Sequence, residues 1–549
     1  MINTIRANYV DIVKRCIYTA DITFGKRISD ISVVSPEPTR GLPYCVPGLI
    51  DSHVHIESSM LTPQRFAAMV IPHGTIGVVC DPHEIANVLG EEGVRYMMDD
   101  AGKSPLHFYF AIPSCVPATP FETNGADFGP REISRLMPRA VALAEMMNYP
   151  GLLAKDPKVM AEMEVAKKAG KPVDGHIPGI TDERLARYVN AGVSTDHESY
   201  MLDEALAKIS LGMKILIREG SAARNLEALL PLFKTNVADI MACTDDAHPD
   251  DIMARGHIDK FYRRARKEGV GVFDIFSVLS SNPISHYKLK AGRVQVGDVA
   301  DFVLIGDLDL YDVREVYIEG RRVFADGGLT YSPSRSGRIN RFAERSFTDA
   351  DFTVLSPSDS PRLRVIRIVK DQLVTECDVW APRGVGRGCA VDSSAAEDIM
   401  KIAVVNRYDA SSPVVNGFIS GTGLCRGAMA SSIAHDSHNV VIIGSDPASM
   451  RIAADAIFKM KGGIVVVSPS GRLTKLALPV AGLMTPRDSE VVADKYQRLI
   501  EVAHRDCGVG LASPFMTMAF MSLLVIPKLK IGDRGLFDVD KFGFVDLFI

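Results

Sequence analysis

The feature that most restricts the fold of this chain is a regular alternation of short apolar segments and helical segments from residue 48 to residue 290. The apolar segments have the length and composition of buried strands, as in GTIGVVC (74–80), LHFYFAI (106–112) and DIMACT (239–244). Helical segments such as ERLARYVNAG (183–192) lie between them. This pattern predicts a parallel (β/α)8 barrel of the TIM type. A doubly wound open sheet is the competing fold, but no glycine-rich phosphate loop follows the first strand.

Antiparallel strands are predicted on both sides of the barrel. Residues 8–34 alternate apolar and polar side chains, and 294–306 and 313–324 return to the same pattern. We therefore expect a small β-sandwich domain into which the barrel is inserted. The predicted division is 1–47 and 291–335 for the two halves of the β domain, 48–290 for the barrel, 336–361 for a Ser- and Pro-rich linker, and 362–549 for a C-terminal α/β or α+β domain.

The composition excludes several classes of protein. With 47% hydrophobic and 23% charged residues, the chain has the makeup of a globular protein. A net charge of −5 gives no electrostatic argument for binding nucleic acid or anionic lipid. The nine cysteines never form a CxxC pair, the N-terminus lacks a signal-peptide apolar stretch, and no segment has the length of a membrane helix. We expect a cytoplasmic protein.

A pair of histidines gives the sharpest local signal. His53 and His55 follow the apolar turn VPGLI in the segment DSHVH. Because residues i and i+2 of a strand face the same side, the two imidazoles point together and could bind one metal ion. This spacing alone also occurs by accident on a polar strand face, so its weight depends on the residues around it.

Further ligand-type residues end other predicted strands. His176 ends KPVDGH, His197 ends GVSTDH, and Asp245 ends MACTD. Catalytic groups of a (β/α)8 barrel lie at the carboxyl ends of its strands, so these side chains should converge. Imidazole and carboxylate ligands suit Mn²⁺, Fe²⁺ or Zn²⁺ with a bound water.

The chain resembles a known family at these segments and beyond them. The segments that carry the resemblance are PGLIDSHVHIESSMLTP (47–63), VVCDPHEIANVLG (78–90), AEMMNYPG (144–151), DGHIPG (174–179), STDHES (194–199), CTDDAHPDD (243–251), NRYDA (406–410), RGAMASSIAHDSHN (426–439) and LALPVAGLM (476–484). By these segments the chain is similar to the adenine deaminases of the amidohydrolase superfamily, and the similarity extends over nearly the whole chain.

The resemblance implies two metal ions. By position, one would be held by His53, His55 and Asp245 and the other by His176 and His197, with a bridging carboxylate from the fourth strand. Glu145 is the candidate bridge, although its surroundings also have helical character. Many members of the superfamily use a carboxylated lysine there, which makes Lys155 the alternative. Mn²⁺ or Fe²⁺ is favoured and Zn²⁺ is possible.

The implied reaction is hydrolysis of adenine to hypoxanthine and ammonia. Water on a divalent ion ionises near neutral pH, and the hydroxide attacks C6 of the purine. Asp245 would take the proton and return it to the leaving amino group. Glu198 is the favoured proton donor to ring N1, with Glu84 or an imidazolium as the alternatives.

Two segments beyond these have a functional and a structural interpretation. His83 and Glu84 in CDPHE could bind the purine or begin a helix, while Glu57 and Ser58 could bind substrate, orient the histidines or cap a loop. The motif 435–438, His-Asp-Ser-His, has the composition of a ligand site, but a structural role is at least as well supported.

Two other functions compete with adenine deamination. One is a cyclic amidohydrolase similar to dihydroorotase or allantoinase, and the other is a non-catalytic scaffold on the same fold, which would lack metal ligands. We expect a small-molecule substrate, no nucleic acid or membrane partner, and a homodimer that serves purine metabolism.

Overall fold

A computed structural model describes residues 2–221, 223–370 and 372–549 of the chain. Two compact units are present. The first comprises residues up to 83, 95–115 and 128–336, and the second comprises 84–94, 116–127 and 337–549. Among the described residues, no helix combines the length and the apolar character that crossing a membrane requires.

Parallel strands in the first unit form a closed barrel, as predicted. Five of them pair in sequence order, and three more pair in a second ladder. Parallel bridges from Val173 to Val193 and from Val54 to Asp245 join the ladders at both ends, so the ring closes. All but four residues of these strands are buried, as expected when helices cover a parallel sheet. The strands are Leu49–Val54, Thr75–Cys80, His107–Ile112, Ala142–Met146, Val173–Gly175, Thr195–Asp196, Lys214–Arg218 and Ile240–Cys243.

Helices alternate with these strands and begin and end at recognisable signals. In Pro157–Ala169, the Asp156 carboxylate accepts bonds from the first free backbone amides, and Gly170 adopts a left-handed φ of 64° at the other end. The helices between residues 63 and 287 are Pro63–Val70, His83–Ala101, Pro130–Leu136, Tyr149–Leu153, Pro157–Ala169, Glu183–Asn190, Leu202–Ser210, Leu226–Leu229, Leu232–Thr235, Pro249–Arg255, Asp259–Lys267, Val272–Phe276 and Asn282–Tyr287.

The chain segments before and after the barrel form one eight-stranded sheet. Phe24 and Tyr317 lie four strands apart in this sheet, which would separate them by about 19 Å if it were flat. Their ring centroids are only 5.4 Å apart, so the sheet folds over itself around an aromatic core. In sheet order the strands are Gly328–Leu329, Arg321–Ala325, Val313–Ile318, Phe302–Ile305, Tyr44–Pro47, Asn3–Asp11, Cys16–Phe24 and Ile28–Ser35.

The second unit contains a mostly antiparallel sheet with helices. Apolar residues of helix Pro447–Met460 pack against the central strands and form its main core. In order, the sheet strands are Thr375–Trp380, Leu363–Ile368, Val415–Ser420, Ile399–Val405, Val440–Gly444, Ala428–Ser431, Gly463–Val467 and Leu473–Ala477. A three-stranded sheet (Leu529–Gly532, Gly535–Asp538, Gly543–Val545) and helices Ser489–Cys507 and Pro514–Ala519 complete the unit.

Candidate metal centre

Imidazole and carboxylate groups converge at the carboxyl ends of the barrel strands. Because the strands are parallel, these ends share one mouth, as in other (β/α)8 barrels. The first, fourth, fifth, sixth and eighth strands each supply at least one of these side chains, which belong to His53, His55, Glu145, His176, His197 and Asp245. The structure thus brings all six predicted ligand residues together.

The first half of the centre consists of His53, His55 and Asp245. The Nε2 atoms of the two histidines are 3.2 Å apart. Asp245 Oδ1 lies 3.4 Å from His53 Nε2 and 3.1 Å from His55 Nε2. The Nδ1 of His55 donates to the carbonyl of Asp81 at 3.1 Å, so in the neutral imidazole the lone pair is on Nε2 and faces the cluster.

The second half of the centre consists of His176 and His197. Their rings meet edge to face with centroids 5.4 Å apart. Gly175 lets the backbone next to His176 lie close to the backbone of Thr195, because a Cβ at position 175 would be 2.3 Å from the Thr195 carbonyl oxygen. Close backbone packing of two very short strands therefore sets the position of these imidazoles.

Glu145 lies between the two halves. Its Oε1 is 3.3 Å from His55 Nε2, while its Oε2 is 2.8 Å from His176 Nδ1 and 3.3 Å from His197 Nε2. The carboxylate thus turns one oxygen to each half. Glu145 is on strand Ala142–Met146, whereas Lys155 follows helix Tyr149–Leu153 and has an exposed side chain.

The charges and lone pairs of the cluster favour a bound cation. Burial lowers the pKa of His55 and His197, but Glu145 and Asp245 overcome this and raise it, to about 9 for His197. Lone pairs of buried nitrogens and ionised oxygens this close repel one another unless protons or a cation lie between them. Several residues of the centre form groups whose ligand atoms lie close enough to hold one metal ion. The donor set fits a divalent first-row metal.

Asp81 and His83, at the end of the second strand, adjoin this centre. His83 Nδ1 lies 3.0 Å from Asp81 Oδ2 and 3.7 Å from Glu145 Oε1, and all three side chains are buried. His83 thus lies beside the centre and is also the first residue of helix His83–Ala101. Asp81 was missed as a potential ligand, although its place at a strand end, in CDPHE, was the available signal.

Arg218 is a second residue that the sequence analysis missed. Its Nη1 is 2.8 Å from Asp245 Oδ2, and it also donates to Glu198. Its Nη2 donates to the Tyr200 hydroxyl at 2.9 Å. Arg218 ends strand Lys214–Arg218, whose three central residues are apolar, and a charged residue at the carboxyl end was the signal that could have identified it.

Glu198 is buried at the edge of the second half, 3.4 Å from His197 Nε2. Burial raises its pKa, but Arg218, His176 and His197 outweigh that effect and lower the pKa to about 2. The resting form of Glu198 is therefore the carboxylate. In this state the side chain accepts hydrogen bonds and has no proton of its own to donate.

Glu57 and Ser58 lie in a short 3-10 helix, Ile56–Ser59, just after His55, and both are buried. The Ser58 hydroxyl donates to Asp246. Glu84 belongs to the second unit, where its two carboxylate oxygens contact His435 and His438 separately. The backbone amide of Ala434 donates to His438 Nδ1 at 3.2 Å, so His438 Nε2 carries the proton bonded to Glu84.

Comparison with known proteins shows similarity along the whole chain. The amidohydrolase family matches residues 44–323, and the adenine deaminase C-terminal domain matches residues 372–543. A protein named adenine deaminase from Methanosarcina barkeri is 46% identical over 513 residues, covering 92% of each chain. One from Salinibacter ruber is 44% identical and covers 100% of this chain and 99% of its own. A solved β-aspartyl dipeptidase from Fervidobacterium islandicum, 16% identical with a TM-score of 0.47, covers 60% of this chain and 99% of its own.

Proposed function

The chain belongs to the adenine deaminase family of amidohydrolases, and we propose on that premise that it hydrolyses adenine to hypoxanthine and ammonia. The observation that carries the proposal is the set of four imidazoles and two carboxylates at one barrel mouth, all of them buried except the partly exposed His176. Family membership supplies the substrate, and the donor set supplies a means of activating water. A cyclic amidohydrolase acting on dihydroorotate is not favoured by these relatives.

Two divalent ions are the proposed cofactors, Mn²⁺ or Fe²⁺ before Zn²⁺. His53, His55 and Asp245 would hold one and His176 and His197 the other, with Glu145 shared. Divalent ions held there would make hydroxide available as a nucleophile near neutral pH. The split contacts of Glu145 support a pair of ions, because each oxygen has its own imidazole partners.

Asp245 is the proposed proton carrier. Its Oδ1 faces His53 and His55, so Oδ2 is the oxygen that would take a proton from the attacking water and return it to the 6-amino nitrogen. Arg218 Nη1 donates to Oδ2, which keeps that oxygen weakly basic and favours the second transfer. Burial raises the pKa of Asp245, but Arg218 and the nearby histidines hold it well below its usual range.

Glu198 is the proposed partner of ring N1. Because its pKa is about 2, it would relay a proton to N1 during the reaction and would not store one beforehand. His83, Glu57 and Ser58 are proposed substrate contacts on account of their burial next to the ligand residues. Binding of substrate by Glu84 stays a prediction.

The domain boundaries, a homodimer, a role in purine metabolism and a cytoplasmic location are proposed as the sequence analysis gave them. The described cysteines are all free thiols, which supports a reducing compartment.

The test is turnover of adenine after chelation and re-addition of Mn²⁺, Fe²⁺ or Zn²⁺ separately. We expect release of ammonia and formation of hypoxanthine with at least one metal, and none in the chelated protein. Dihydroorotate is assayed in parallel. Ring opening of dihydroorotate without deamination of adenine would contradict the proposal and support the cyclic amidohydrolase.

A further inference from the structure

A lysine is fully buried behind the second half of the metal centre. Lys208 lies in the last turn of helix Leu202–Ser210 and has no exposure to solvent. Its Nζ donates to the carbonyl of Ile177 at 2.8 Å, to Asp196 Oδ2 at 2.8 Å, to the Ser199 hydroxyl at 3.1 Å and to Glu204 Oε1 at 2.7 Å. These four acceptors and Lys208 are called the Lys208 network.

The two carboxylates of the network accept hydrogen bonds from backbone amides in the loops that follow His176 and His197. Asp196 Oδ1 accepts from the amide of Ile177 at 3.0 Å, and its Oδ2 accepts from the amide of Glu198 at 3.2 Å. Glu204 Oε1 accepts from the amide of Gly179 at 2.8 Å. One ammonium group therefore ties together the loop after the fifth strand and the loop after the sixth strand.

These loops carry the second pair of histidines. His176 directly precedes Ile177, whose amide and carbonyl both belong to the network. His197 lies between Asp196 and Glu198, and the side chain of the first accepts from the amide of the second. Both imidazoles are thus attached to backbone segments that hydrogen-bond to Lys208 or to a carboxylate that Lys208 contacts.

We propose that Lys208 is a positioning residue that holds His176 and His197 in the geometry required by one of the two metal ions. This rests on the proposed two-ion centre. A buried ion pair is a weak source of stability, because desolvation offsets most of its attraction, but it can fix a single geometry. Groups that orient metal ligands typically change metal affinity or activity by about 10- to 100-fold when they are removed.

The experiment counts metal ions bound to Lys208→Met and to the double variant Lys208→Met/Glu204→Gln. The double variant restores the wild-type formal charge of the Lys208, Asp196 and Glu204 trio, so it separates lost positioning from an uncompensated buried charge. Lys401→Met is the matched control, because Lys401 is a buried lysine of the second unit that donates to the carbonyl of Val391 at 2.6 Å. Thermal unfolding of the metal-free forms confirms that each variant folds.

We expect the wild type and Lys401→Met to retain two ions and both Lys208 variants to bind one of the two about 10- to 100-fold more weakly. In a His176→Ala background, where that ion is already lost, Lys208→Met should lower metal retention no further. Wild-type retention of both ions by a folded Lys208 variant would overturn the inference, as would a further loss in the His176→Ala background. The number of bound metal ions tests the role of Lys208, whereas the adenine assay of the wild-type protein tests the proposed function.

Discussion

The two halves of the metal centre are held in place by different means. His53 lies in strand Leu49–Val54 and His55 directly follows it; this six-residue strand pairs with strand Thr75–Cys80 on one side and bridges to Asp245 on the other. His176 and His197 follow strands of only three and two residues. Backbone pairing is therefore extensive beside the first half and slight beside the second, where the Lys208 network takes its place.

Backbone contacts are concentrated at the first half. The amide of Asp245 donates to the carbonyl of His53 at 2.9 Å, and the amide of His55 donates to the carbonyl of Asp245 at 3.2 Å. Asp245 itself adopts a left-handed φ of 55°, which is unusual for a residue other than glycine and turns its side chain into the centre. A single buried carboxylate, Asp51, supports this arrangement by accepting from the amide of Thr244 at 3.0 Å.

This difference shows what a sequence pattern can reveal. A ligand pair on a long strand has a period-2 spacing that can be recognised, whereas ligands on strands of two or three residues have none. Five predictions test whether the two halves are as distinct as the groups that hold them in place.

The largest effect is expected from Glu145→Gln, because Glu145 is the one side chain shared by both halves. An amide keeps the shape but loses the negative charge and one acceptor oxygen, so both ions should be lost. Turnover should fall by about 10⁴-fold or more, since the ions supply several kcal/mol of catalysis. Metal analysis and adenine turnover measure this.

Glu162→Gln is the control for that variant. Glu162 is a buried glutamate outside the centre, and burial raises its pKa to about 7. Removing it should leave both the metal count and turnover near wild type. A Glu145→Gln protein that keeps two ions would show that the halves do not share this carboxylate.

Asp245→Asn should affect the chemistry of the first half and leave the second half intact. The amide cannot carry the proton, so kcat should fall by about 10²- to 10⁴-fold. One ion should be retained at wild-type affinity. Asp246→Asn, the neighbouring carboxylate, which accepts from Ser58, should change kcat only a few-fold. Equal losses in the two variants would rule out a special role for Asp245.

The sequence predicted the barrel and the convergence of the histidines because strand–helix alternation and strand-end positions are local signals. Glu145 was harder to place, because EISRLMPRAVALAEMM reads as one helix. The structure divides it into helix Pro130–Leu136 and strand Ala142–Met146, with a 3-10 turn at Met137–Arg139 between them. Pro138 interrupts the helix, so the apolar residues that follow are free to join the parallel sheet.

Lys208 could not have been found in this way. Glu204 and Lys208 are four residues apart, which is the common pattern of an ion pair on an exposed helix face. In the structure both are buried, because the loops after the fifth and sixth strands cover them. Burial of that kind depends on contacts distant in sequence, and no helical period encodes it. Arg218 was missed because it follows three apolar strand residues, and an apolar run predicts a buried strand without indicating a functional residue at its end.

Asp51→Asn is the counterpart of Lys208→Met for the first half. The amide nitrogen cannot accept from Thr244, and the substitution removes the negative charge that lies 3.1 Å from His257 Nε2. We expect one ion to bind about 10- to 100-fold more weakly. Asp100→Asn, a buried carboxylate that accepts from the amide and side chain of Gln64, should have no effect on metal binding.

Combining the two supports sharpens the comparison. If Asp51 and Lys208 act on different ions, the double variant Asp51→Asn/Lys208→Met should bind both ions about 10- to 100-fold more weakly, each by the factor of its own single variant. A double variant that still holds one ion tightly would mean that both supports act on the same site.

The smallest effect is expected from Ser199→Ala, which removes one member of the Lys208 network. The hydroxyl donates to Asp196 Oδ2 at 2.8 Å and accepts from Lys208, but the ammonium keeps three other acceptors. Loss of one net hydrogen bond costs about 1 kcal/mol, so one ion should bind about fivefold more weakly. Ser194→Ala is the control, since that hydroxyl donates to the carbonyl of Val173 at 2.9 Å on the same pair of strands. Titration of the metal-free proteins measures both. A loss as large as that of Lys208→Met would mean that the hydroxyl, and not the ammonium, holds the two loops together.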